Sequence, residues 1–464
     1  MLHSTPFSPQ LRAQCAPLGS RLKPIAKATE SISGLASLFG GYFAGLLVPA
    51  SEGPGSRQRN LPRVAMFWAF LGQVLERGAG VRWALTRIQA DAVSKGRRRP
   101  GNNTSAYCQA RAALSLPWLM SLFDSLGHWL EQRSSAQWLG RTVRLIDATG
   151  FSMPDTDANR AIWPYASGQK PGCGFPTGKL AGLFCLHTGR ILGFEQGSWK
   201  MHDLPLARKL LHLLHACEVL VADRAYCGWW FMVQLMDRKV DFAIRLNQAR
   251  KVCGRRYGSW QETWAKPQRP RGQSKRDWAK LPEQITVRLV RFRVETRGYR
   301  TRSVIVVTSL LDIKAFPDSA IAQLYGMRWQ VELHFRQIKT HLALDILRGL
   351  SPNIIKRELL MHAIAYNLVR ALLVETSLVH AVPVNRLSFK GALDAASAWA
   401  AHAMISRRHR RHARAQLLER IACDLVPLRP GRSEPRACKR RPKPQPLLTR
   451  RRRRKRVSTS RNCR

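Results

Sequence analysis

Hydrophobic residues begin to recur every three or four positions near residue 64, the spacing of one face of an α-helix. The members of this first face are Val64, Phe67, Phe70, Leu71, Val74 and Leu75. Val81, Leu85 and Ile88 continue the pattern on a second predicted helix. The tripeptide Asn103-Thr104-Ser105 is typical of a helix start, because short polar side chains cap the free N–H groups of a first turn. These patterns predict a helical domain over residues 56–135.

The segment 106–114, which carries Gln109 and Arg111 among small residues, follows this helix start. It fits a DNA-recognition helix beside the basic turn at 95–100. It fits equally well an ordinary helix of a bundle whose basic loop is only solvated, because helix-turn-helix patterns are weak in a single sequence. Both interpretations stay open at this point.

Apolar residues change to the pattern of β-strands after residue 140. Val143, Leu145 and Ile146 lead directly into Asp147, and a second apolar run, Glu218-Val-Leu-Val-Ala-Asp223, also ends in an acid. Two further runs, 180–187 and 191–195, flank Thr188-Gly189-Arg190 as in a β-hairpin. Strands of this kind alternating with a helical stretch at 204–215 predict a mixed α/β core.

The chain after residue 247 predicts three further regions. Two alternating runs, 285–295 and 302–311, follow a basic segment and predict a β-rich insertion over 248–312. The pattern is helical throughout 313–400, which completes the core begun at 136–247. From Arg407 the chain is dominated by arginine up to the run at 450–456, so 401–464 is predicted to be a basic tail that needs a polyanion to become ordered.

Residues 1–55 have no clear periodicity, and the Pro-, Gly- and Ser-rich run 49–57 is typical of a linker. The apolar stretch 35–50 is interrupted by glycines. At about 16 residues it is shorter than the ~20 that a membrane-spanning helix needs. We therefore expect a loosely packed N-terminal segment and no membrane partner.

The charge balance predicts what kind of partner the chain binds. In 464 residues the chain has 77 Lys and Arg against 29 Asp and Glu, a formal net charge of +48. A positive charge of this size predicts a polyanionic partner, and nucleic acid is the commonest one because its phosphates reward clustered Lys and Arg. The ten cysteines are scattered without a C-x2-C pair, which argues against a zinc ribbon or a disulfide framework and favours a reducing cytoplasm.

Asp147 and Asp223 are candidate metal ligands because each follows a run of strand-forming residues. A charged carboxylate at the end of a buried strand is costly unless something compensates its charge. A divalent cation is one such compensator, and oxygen ligands of this kind suit Mg²⁺ or Mn²⁺. For either aspartate alone, an ordinary turn or helix cap is the simpler interpretation; their similar context favours the metal site.

A third acid lies in the segment 325–339, where Tyr325, Arg328, Glu332 and Lys339 fall within about 60° of one another on a helical projection. A solvent-facing ion pair between Arg328 and Glu332 would give the same pattern. The opposite face favours a functional interpretation, because its apolar residues predict docking of the helix on the sheet, with the polar side towards the cleft. These residues are Met327, Val331, Phe335 and Ile338.

The spacing Tyr-x2-Arg-x3-Glu-x6-Lys at 325–339 resembles the YREK signature of bacterial insertion-sequence DDE transposases. The resemblance also covers Asp223-Arg224-Ala225-Tyr226, segments at 103–111 and 362–370, and the basic run 427–444, so it extends over roughly residues 60–450; nothing in 1–55 matches. It implies a ribonuclease H-like core with a β-rich insertion. It also implies that Asp147, Asp223 and Glu332 form a catalytic, metal-binding triad, while Tyr325, Arg328 and Lys339 contact the DNA backbone.

The resemblance further implies a function: binding of terminal inverted repeats, metal-dependent DNA strand cleavage and transfer of the freed 3′-OH into target DNA. Two Mg²⁺ or Mn²⁺ ions, double-stranded DNA at both the transposon ends and the target, a homodimer in the DNA complex and a cytoplasmic, nucleoid-associated location are expected with it. Two alternatives remain at this point. One is a ribonuclease H-like metal-dependent nuclease without strand transfer, and the other is an inert basic DNA-binding protein.

Aromatic and histidine residues supply further candidates. Trp260, Trp264 and Trp278 lie among Lys and Arg in the insertion, where one of them could stack on a DNA base. Packing within the insertion is the favoured role for any one of them. His202, His334 and His341 stay unassigned, because a lone histidine is more often structural or solvated.

Overall fold

The structure, a computed structural model, describes most of the chain between residues 32 and 427. The described ranges are 32–43, 45–47, 61–133, 136–166, 174–250, 257–270, 273–293, 303–400 and 407–427. The predicted linker at 49–57 and the arginine run at 450–456 lie outside these residues.

Within the described residues, five α-helices precede the sheet: α1 (Ile32–Phe39), α2 (Arg63–Leu75), α3 (Val81–Ser94), α4 (Thr104–Ala112) and α5 (Leu116–Glu131). The helical periodicity from residue 64 is confirmed, since every residue of α2 from Met66 to Leu75 is buried. The predicted helix start at Asn103 is also confirmed, because its side chain accepts a hydrogen bond from the N–H of Ser105.

The expectation of a loosely packed segment before residue 55 is wrong for residues 32–43. Phe39 and Phe43 are fully buried, and the ring of Phe43 makes edge contacts with Phe67 and Trp68 of α2. The helix α1 has only eight residues and is followed by a 3-10 turn at Gly40–Phe43, so the segment depends on this aromatic packing for its stability.

Eight strands form one sheet within the described residues, in the order β3-β2-β1-β4-β5-β8-β7-β6. Their bounds are β1 Thr142–Ser152, β2 Thr177–Cys185, β3 Ile191–Ser198, β4 Glu218–Ala222, β5 Asp241–Arg245, β6 Gly258–Ala265, β7 Gln284–Arg293 and β8 Ser303–Thr308. Strands β1 to β3 are antiparallel, whereas β4 is parallel to β1, and β5 is parallel to β4. The predicted fold class, a ribonuclease H-like mixed sheet flanked by helices, is confirmed.

The β-rich segment continues this sheet instead of standing apart from it, because β8 pairs with β5 in antiparallel register. Strands β7 and β8 confirm the two alternating runs. Strand β6 was not predicted; its sequence, Gly-Ser-Trp-Gln-Glu-Thr-Trp-Ala, is mostly polar because it lies at the sheet edge, where one side stays hydrated. The domain boundaries drawn from the sequence stay predictions.

Nine further α-helices in the described residues pack on the faces of the sheet or on one another. They are α6 (Asp157–Ile162), α7 (Asp203–Lys209), α8 (Trp229–Asp237), α9 (Lys275–Ala279), α10 (Asp318–Gly326), α11 (Trp329–Arg336), α12 (Pro352–His380), α13 (Phe389–Ala400) and α14 (Arg407–Cys423). Leu145 belongs to the hydrophobic core on one face, with the N-terminal helices, α11 and α12. Its neighbour Ile146 belongs to the core on the other face, with α7 and α8. Successive strand residues therefore point into different cores.

Helix α12 is the longest element and runs through the larger core. Its length and mean hydropathy of 1.2 would suffice to cross a membrane, but 94% of the apolar window is buried inside the protein, as in a core helix. The polar residues of the 362–370 segment hold the turn between β2 and β3. Asn367 bonds both backbone polar groups of Ile191, and the hydroxyl of Tyr366 donates to the carbonyl of Gly189 at 2.8 Å.

The expectation that the chain needs a polyanion to order it from residue 407 onwards is wrong for residues 407–427. Helix α14 buries Leu417, Leu418 and Ile421, which follow helical spacing on one side of the helix. Arg414 donates to the carboxylate of Glu375 on α12 at 2.8 Å. This long-range ion pair compensates a charge that had no visible partner in the local sequence.

Asn367→Leu is expected to lower the free energy of unfolding by about 2–4 kcal/mol, because it leaves the N–H and the C=O of Ile191 buried without partners. Urea unfolding followed by circular dichroism measures the change. Asn102→Leu, at an exposed position, is the control and should change the value by no more than about 0.5 kcal/mol. Equal effects of the two substitutions would contradict the role assigned to Asn367.

Candidate active site

The parallel pairing of β1 and β4 brings the first two candidate acids together. The pairs run from Thr142 with Glu218 to Leu145 with Val221. Continued by two residues, this register sets Asp223, the residue after β4, beside Asp147. The expectation that Asp147 ends its strand is wrong, because β1 continues to Ser152 by pairing with β2. It is the neighbouring strand β4 that ends here, and its end opens space beside Asp147.

Short hydrogen bonds fix both aspartates locally. Oδ1 of Asp147 accepts from the N–H of Ala148, and Oδ1 of Asp223 accepts from the N–H of Ala225, both at 2.8 Å. The second bond caps the short 3-10 helix Arg224–Tyr226. Each aspartate also keeps a second carboxylate oxygen, which is available to a ligand.

The predicted single helix at 325–339 is interrupted. Helix α10 ends at Gly326, helix α11 begins at Trp329, and Gln337–His341 forms a π-helical turn. Glycine is a weak helix former, which favours a break at this position. Met327, predicted on the buried face, is 40% exposed at the break, so that prediction is wrong.

The rest of the predicted apolar face is confirmed. Val331, Phe335 and Ile338 are buried, and Phe335 packs edge-on against the ring of Phe184 on β2. This packing lays α11 across β1. It directs Glu332, on the other side of the helix, towards the two aspartates.

The four polar residues of the segment converge on β1 despite the break. Arg328 donates to Oε1 of Glu332 at 2.7 Å, and its Nη1 lies 4.0 Å from Oδ2 of Asp147. The ammonium group of Lys339 lies 3.3 Å from the hydroxyl of Thr149, two residues beyond Asp147 on β1. Tyr325 is half-buried close to Arg328 and Asp223. A guanidinium group thus lies between two of the three acids.

The three carboxylates interact electrostatically. The pKa of Asp147 is raised to about 6, and burial is the largest cause; the N–H of Ala148 and the charge of Arg328 oppose the rise, while the carboxylates of Asp223 and Glu332 add to it. Burial is also the largest cause of the raised pKa of Tyr325, which the positive charge of Arg328 opposes. The fold therefore opposes ionisation of Asp147, chiefly because its carboxylate is buried.

The donor chemistry at this site fits a hard divalent cation, because all three candidate ligands are carboxylates. A bound cation would favour the ionised form of Asp147, which burial opposes. As the side chains stand, however, the described residues contain no group of three or more His, Cys, Asp or Glu close enough to hold a metal ion. Arg328 contacts both Asp147 and Glu332 and takes the place of a counter-ion.

Two residues near the site had no role assigned to them from the sequence. Tyr226 is fully buried beside Asp147 and Asp223, and its hydroxyl has no hydrogen-bond partner among the described residues. Its motif, Asp223-Arg224-Ala225-Tyr226, was the available signal. Trp199 is 44% exposed and lies so close to β1 that a Cβ atom on Gly150 would come within 2.6 Å of its ring. No local sequence pattern predicts the contact between Gly150 and Trp199, which are 49 positions apart.

The other candidates lie away from the carboxylates. Trp264 and Trp278 are buried, so the packing role is confirmed for them, while Trp260 is half-buried and donates to Glu262. His334 is buried against Phe184 and bonds Arg370 at 2.6 Å, which excludes it from the cleft. His341 stacks on Phe389, and His202 is exposed.

On the predicted recognition helix α4, Arg111 is buried over the ring of Phe70, so this side chain is turned to the core. Tyr107 is buried too, and its hydroxyl donates to Gln73. Gln109 is exposed, together with Ser105 and Cys108. The helix therefore keeps one polar face towards solvent.

Comparison with known proteins shows that the chain is similar to transposases. Residues 138–368, a span that contains Asp147, Asp223 and Glu332, match the family described as a transposase DDE domain. The chain is 26% identical over 320 residues to the transposase InsG for insertion sequence element IS4 of Escherichia coli (strain K12). That match covers 68% of this chain and 70% of InsG.

Two further similarities differ in strength. The protein y4zB of Sinorhizobium fredii (strain NBRC 101917 / NGR234), described as a transposase, is 34% identical over 288 residues, which are 58% of this chain and 71% of y4zB. Among solved structures, a piggyBac transposase synaptic complex with hairpin DNA matches 85% of this chain and 84% of its own at 10% identity. Its TM-score is 0.42, so the structural similarity is weak.

Asp147→Asn is expected to stabilise the metal-free protein at pH 8 by up to about 3 kcal/mol, since it removes a carboxylate whose ionisation the fold opposes. Because the pKa is raised from 3.8 to about 6 in the folded protein, the parent loses stability as the pH rises through this interval. The advantage of the variant should therefore be full above pH 6 and should vanish below about pH 4.

Thermal unfolding in the presence of a chelator, repeated across this pH range, measures the difference. Asp277→Asn, an exposed aspartate of α9, is the control and should change stability little at any pH. A variant that is less stable than the parent at pH 8 would contradict the raised pKa of Asp147 in the folded protein.

Proposed function

The chain belongs to the family of bacterial insertion-sequence DDE transposases, enzymes that act on DNA, and from this membership we propose that it moves its own element by strand cleavage and strand transfer. The predicted family resemblance is thereby confirmed. The match of Tyr325, Arg328, Glu332 and Lys339 to the YREK signature stays a prediction.

The observation that carries the proposal is the convergence of Asp147, Asp223 and Glu332 where β4 ends beside β1. DDE transposases use divalent metal ions. We assign the three carboxylates as the ligands of two such ions, Mg²⁺ or Mn²⁺. When bound, ions of this kind activate a water molecule for attack on a phosphodiester and stabilise the oxygen that leaves.

The neighbouring side chains are suited to the DNA backbone. The guanidinium of Arg328 offers a planar fork that matches two phosphate oxygens, and it becomes free for this role when Glu332 and Asp147 bind another cation. Lys339 adds a point charge beside Thr149, and Tyr325 adds a hydroxyl donor. We assign these three residues to the phosphates of the transposon end.

Strand transfer needs a freed 3′-OH to remain in the site and a target phosphodiester to enter it. We propose that the chain binds the terminal inverted repeats of its element, and that two copies act as a dimer because two ends must be joined. The formal net charge of +48 supports binding of both the ends and the target DNA. We place this activity in the bacterial cytoplasm, at the nucleoid.

Asp147→Ala, Asp223→Ala and Glu332→Ala should each reduce cleavage of a duplex carrying the element's end to background, while binding of the same duplex persists. A gel assay for nicked strands and a mobility-shift assay measure the two properties. Asp277→Ala serves as the matched aspartate control and should cleave as the parent does. A variant that cleaves at the parent's rate would show that the substituted residue is not part of the catalytic site.

A pre-cleaved end with a free 3′-OH should become covalently joined to a supercoiled target plasmid when Mg²⁺ is added. The products are detected as labelled plasmid circles and linear molecules, and Glu332→Ala should form none. Efficient cleavage of intact ends without any joining would instead identify a metal-dependent nuclease. Binding without cleavage or joining would identify an inert DNA-binding protein.

A further inference from the structure

A second polar site adjoins the carboxylates. A cavity of about 590 Å³ lies between the turn that follows α2 and the π-helical turn after α11. Four of its lining side chains are cationic: Arg77, Arg336, Lys339 and Arg348. One carboxylate, Asp345, also lines it.

The four cations have no acidic partner in the part of the chain that the structure describes, and Arg77, Arg336 and Arg348 are exposed to solvent. Some arginines elsewhere do have acidic partners, as Arg144 has Glu218 and Arg414 has Glu375. Within the described ranges, by contrast, none of the cavity's Arg or Lys side chains forms an ion pair, and Asp345 is paired with none of them. Several unpaired cations around one cavity repel one another, so the cavity is suited to an anion that neutralises them.

Two observations support this positive potential. The pKa of His341, next to the cavity, is lowered by burial first and then by the charges of Lys390, Arg77 and Arg336. The two walls also approach closely, since a Cβ atom on Gly78 would lie 3.9 Å from Nη2 of Arg348. Charges from the N-terminal helices and from the catalytic core are thus held in one place.

The cavity adjoins the carboxylate site along the chain. Glu332 and Arg336 are four residues apart on α11, and Lys339 follows in the π-helical turn. Arg336 and Lys339 both line the cavity. Lys339 belongs to both places, because it lines the cavity and contacts Thr149 of β1.

Strand β1 gives the distance between the two sites. Thr149 contacts Lys339, and the backbone of Ser152 bonds the backbone of Asp345 at 2.9 Å. At about 3.3 Å per strand residue, Thr149 and Ser152 lie roughly 7 and 17 Å beyond Asp147 along β1. A DNA strand advances about 3.4 Å per nucleotide, so the interval corresponds to about two to five nucleotides.

We propose that this cavity binds the DNA phosphates about two to five nucleotides from the scissile bond, with Arg77, Arg336 and Arg348 as the binding residues that join Lys339. The inference rests on the proposed function, because it takes Asp147 to mark the scissile phosphate. The cavity positions the strand and couples the N-terminal helices to the catalytic core; none of the three arginines takes part in the chemistry.

Arg77→Gln, Arg336→Gln and Arg348→Gln should each weaken binding of the element's end and reduce the slope of log K against log salt concentration by about 0.9 per lost phosphate contact. Arg336→Lys, which retains the charge, should retain the slope. Arg238→Gln is the control, since Arg238 follows α8 on the opposite face of the sheet. Unfolding temperatures identify any variant that fails to fold.

Neutral methylphosphonate groups, placed one at a time along the end duplex, locate the contact. The parent should bind less tightly when the neutral group lies about two to five nucleotides from the cut, and Arg336→Gln should no longer respond to it. Unchanged salt slopes in all three glutamine variants, or the same interference pattern in parent and variant, would overturn the proposal.

The outcomes separate this proposal from the proposed function. If the protein cleaves and joins ends but its DNA binding does not depend on these arginines, the proposed function stands and the cavity is not a phosphate site. If the protein neither cleaves nor joins ends, the proposed function is wrong. A changed salt slope in the glutamine variants would then still identify the cavity as a phosphate site.

Discussion

Burial of the Asp147 carboxylate, beside those of Asp223 and Glu332, is the constraint around which this end of the molecule is organised. Burial and the two neighbouring carboxylates hold the pKa of Asp147 near 6, so the folded protein carries an electrostatic cost at neutral pH. Arg328 offsets part of it by contacting Asp147 and Glu332. A site that is strained in this way without its cation gains more from binding one, which explains why the fold tolerates the arrangement.

Packed secondary-structure elements bring the three acids together. The parallel register of β1 and β4 sets two of them side by side, and the buried face of α11 orients the third. Helix α12 supports the same sheet from one side, and Asn367 ties it to the β2–β3 turn. The backbone positions of the carboxylates are therefore set by buried contacts far from the acids themselves.

Much of this could be predicted from local patterns. The apolar run of Val143, Leu145 and Ile146 predicts a strand, and the spacing of Val331, Phe335 and Ile338 predicts the docked face of α11. The exceptions depend on distant partners. Strand β1 runs past Asp147 because β2 pairs with Ala148, Thr149 and Gly150, none of which predicts a strand locally. Helix α14 depends on Glu375, and the cavity depends on Arg77 and Arg348, which lie 271 residues apart in the sequence.

The central claim, that Asp147, Asp223 and Glu332 bind metal as one site, is tested most directly by replacing the native ion with Fe²⁺ and generating hydroxyl radicals at the bound iron. Mass spectrometry then maps where the polypeptide is cut. The account predicts three cut regions, near residues 147, 223 and 332, all suppressed together by excess Mg²⁺ and all absent in Glu332→Ala. Cuts confined to other parts of the chain, or cuts near these residues that survive Glu332→Ala, would contradict it.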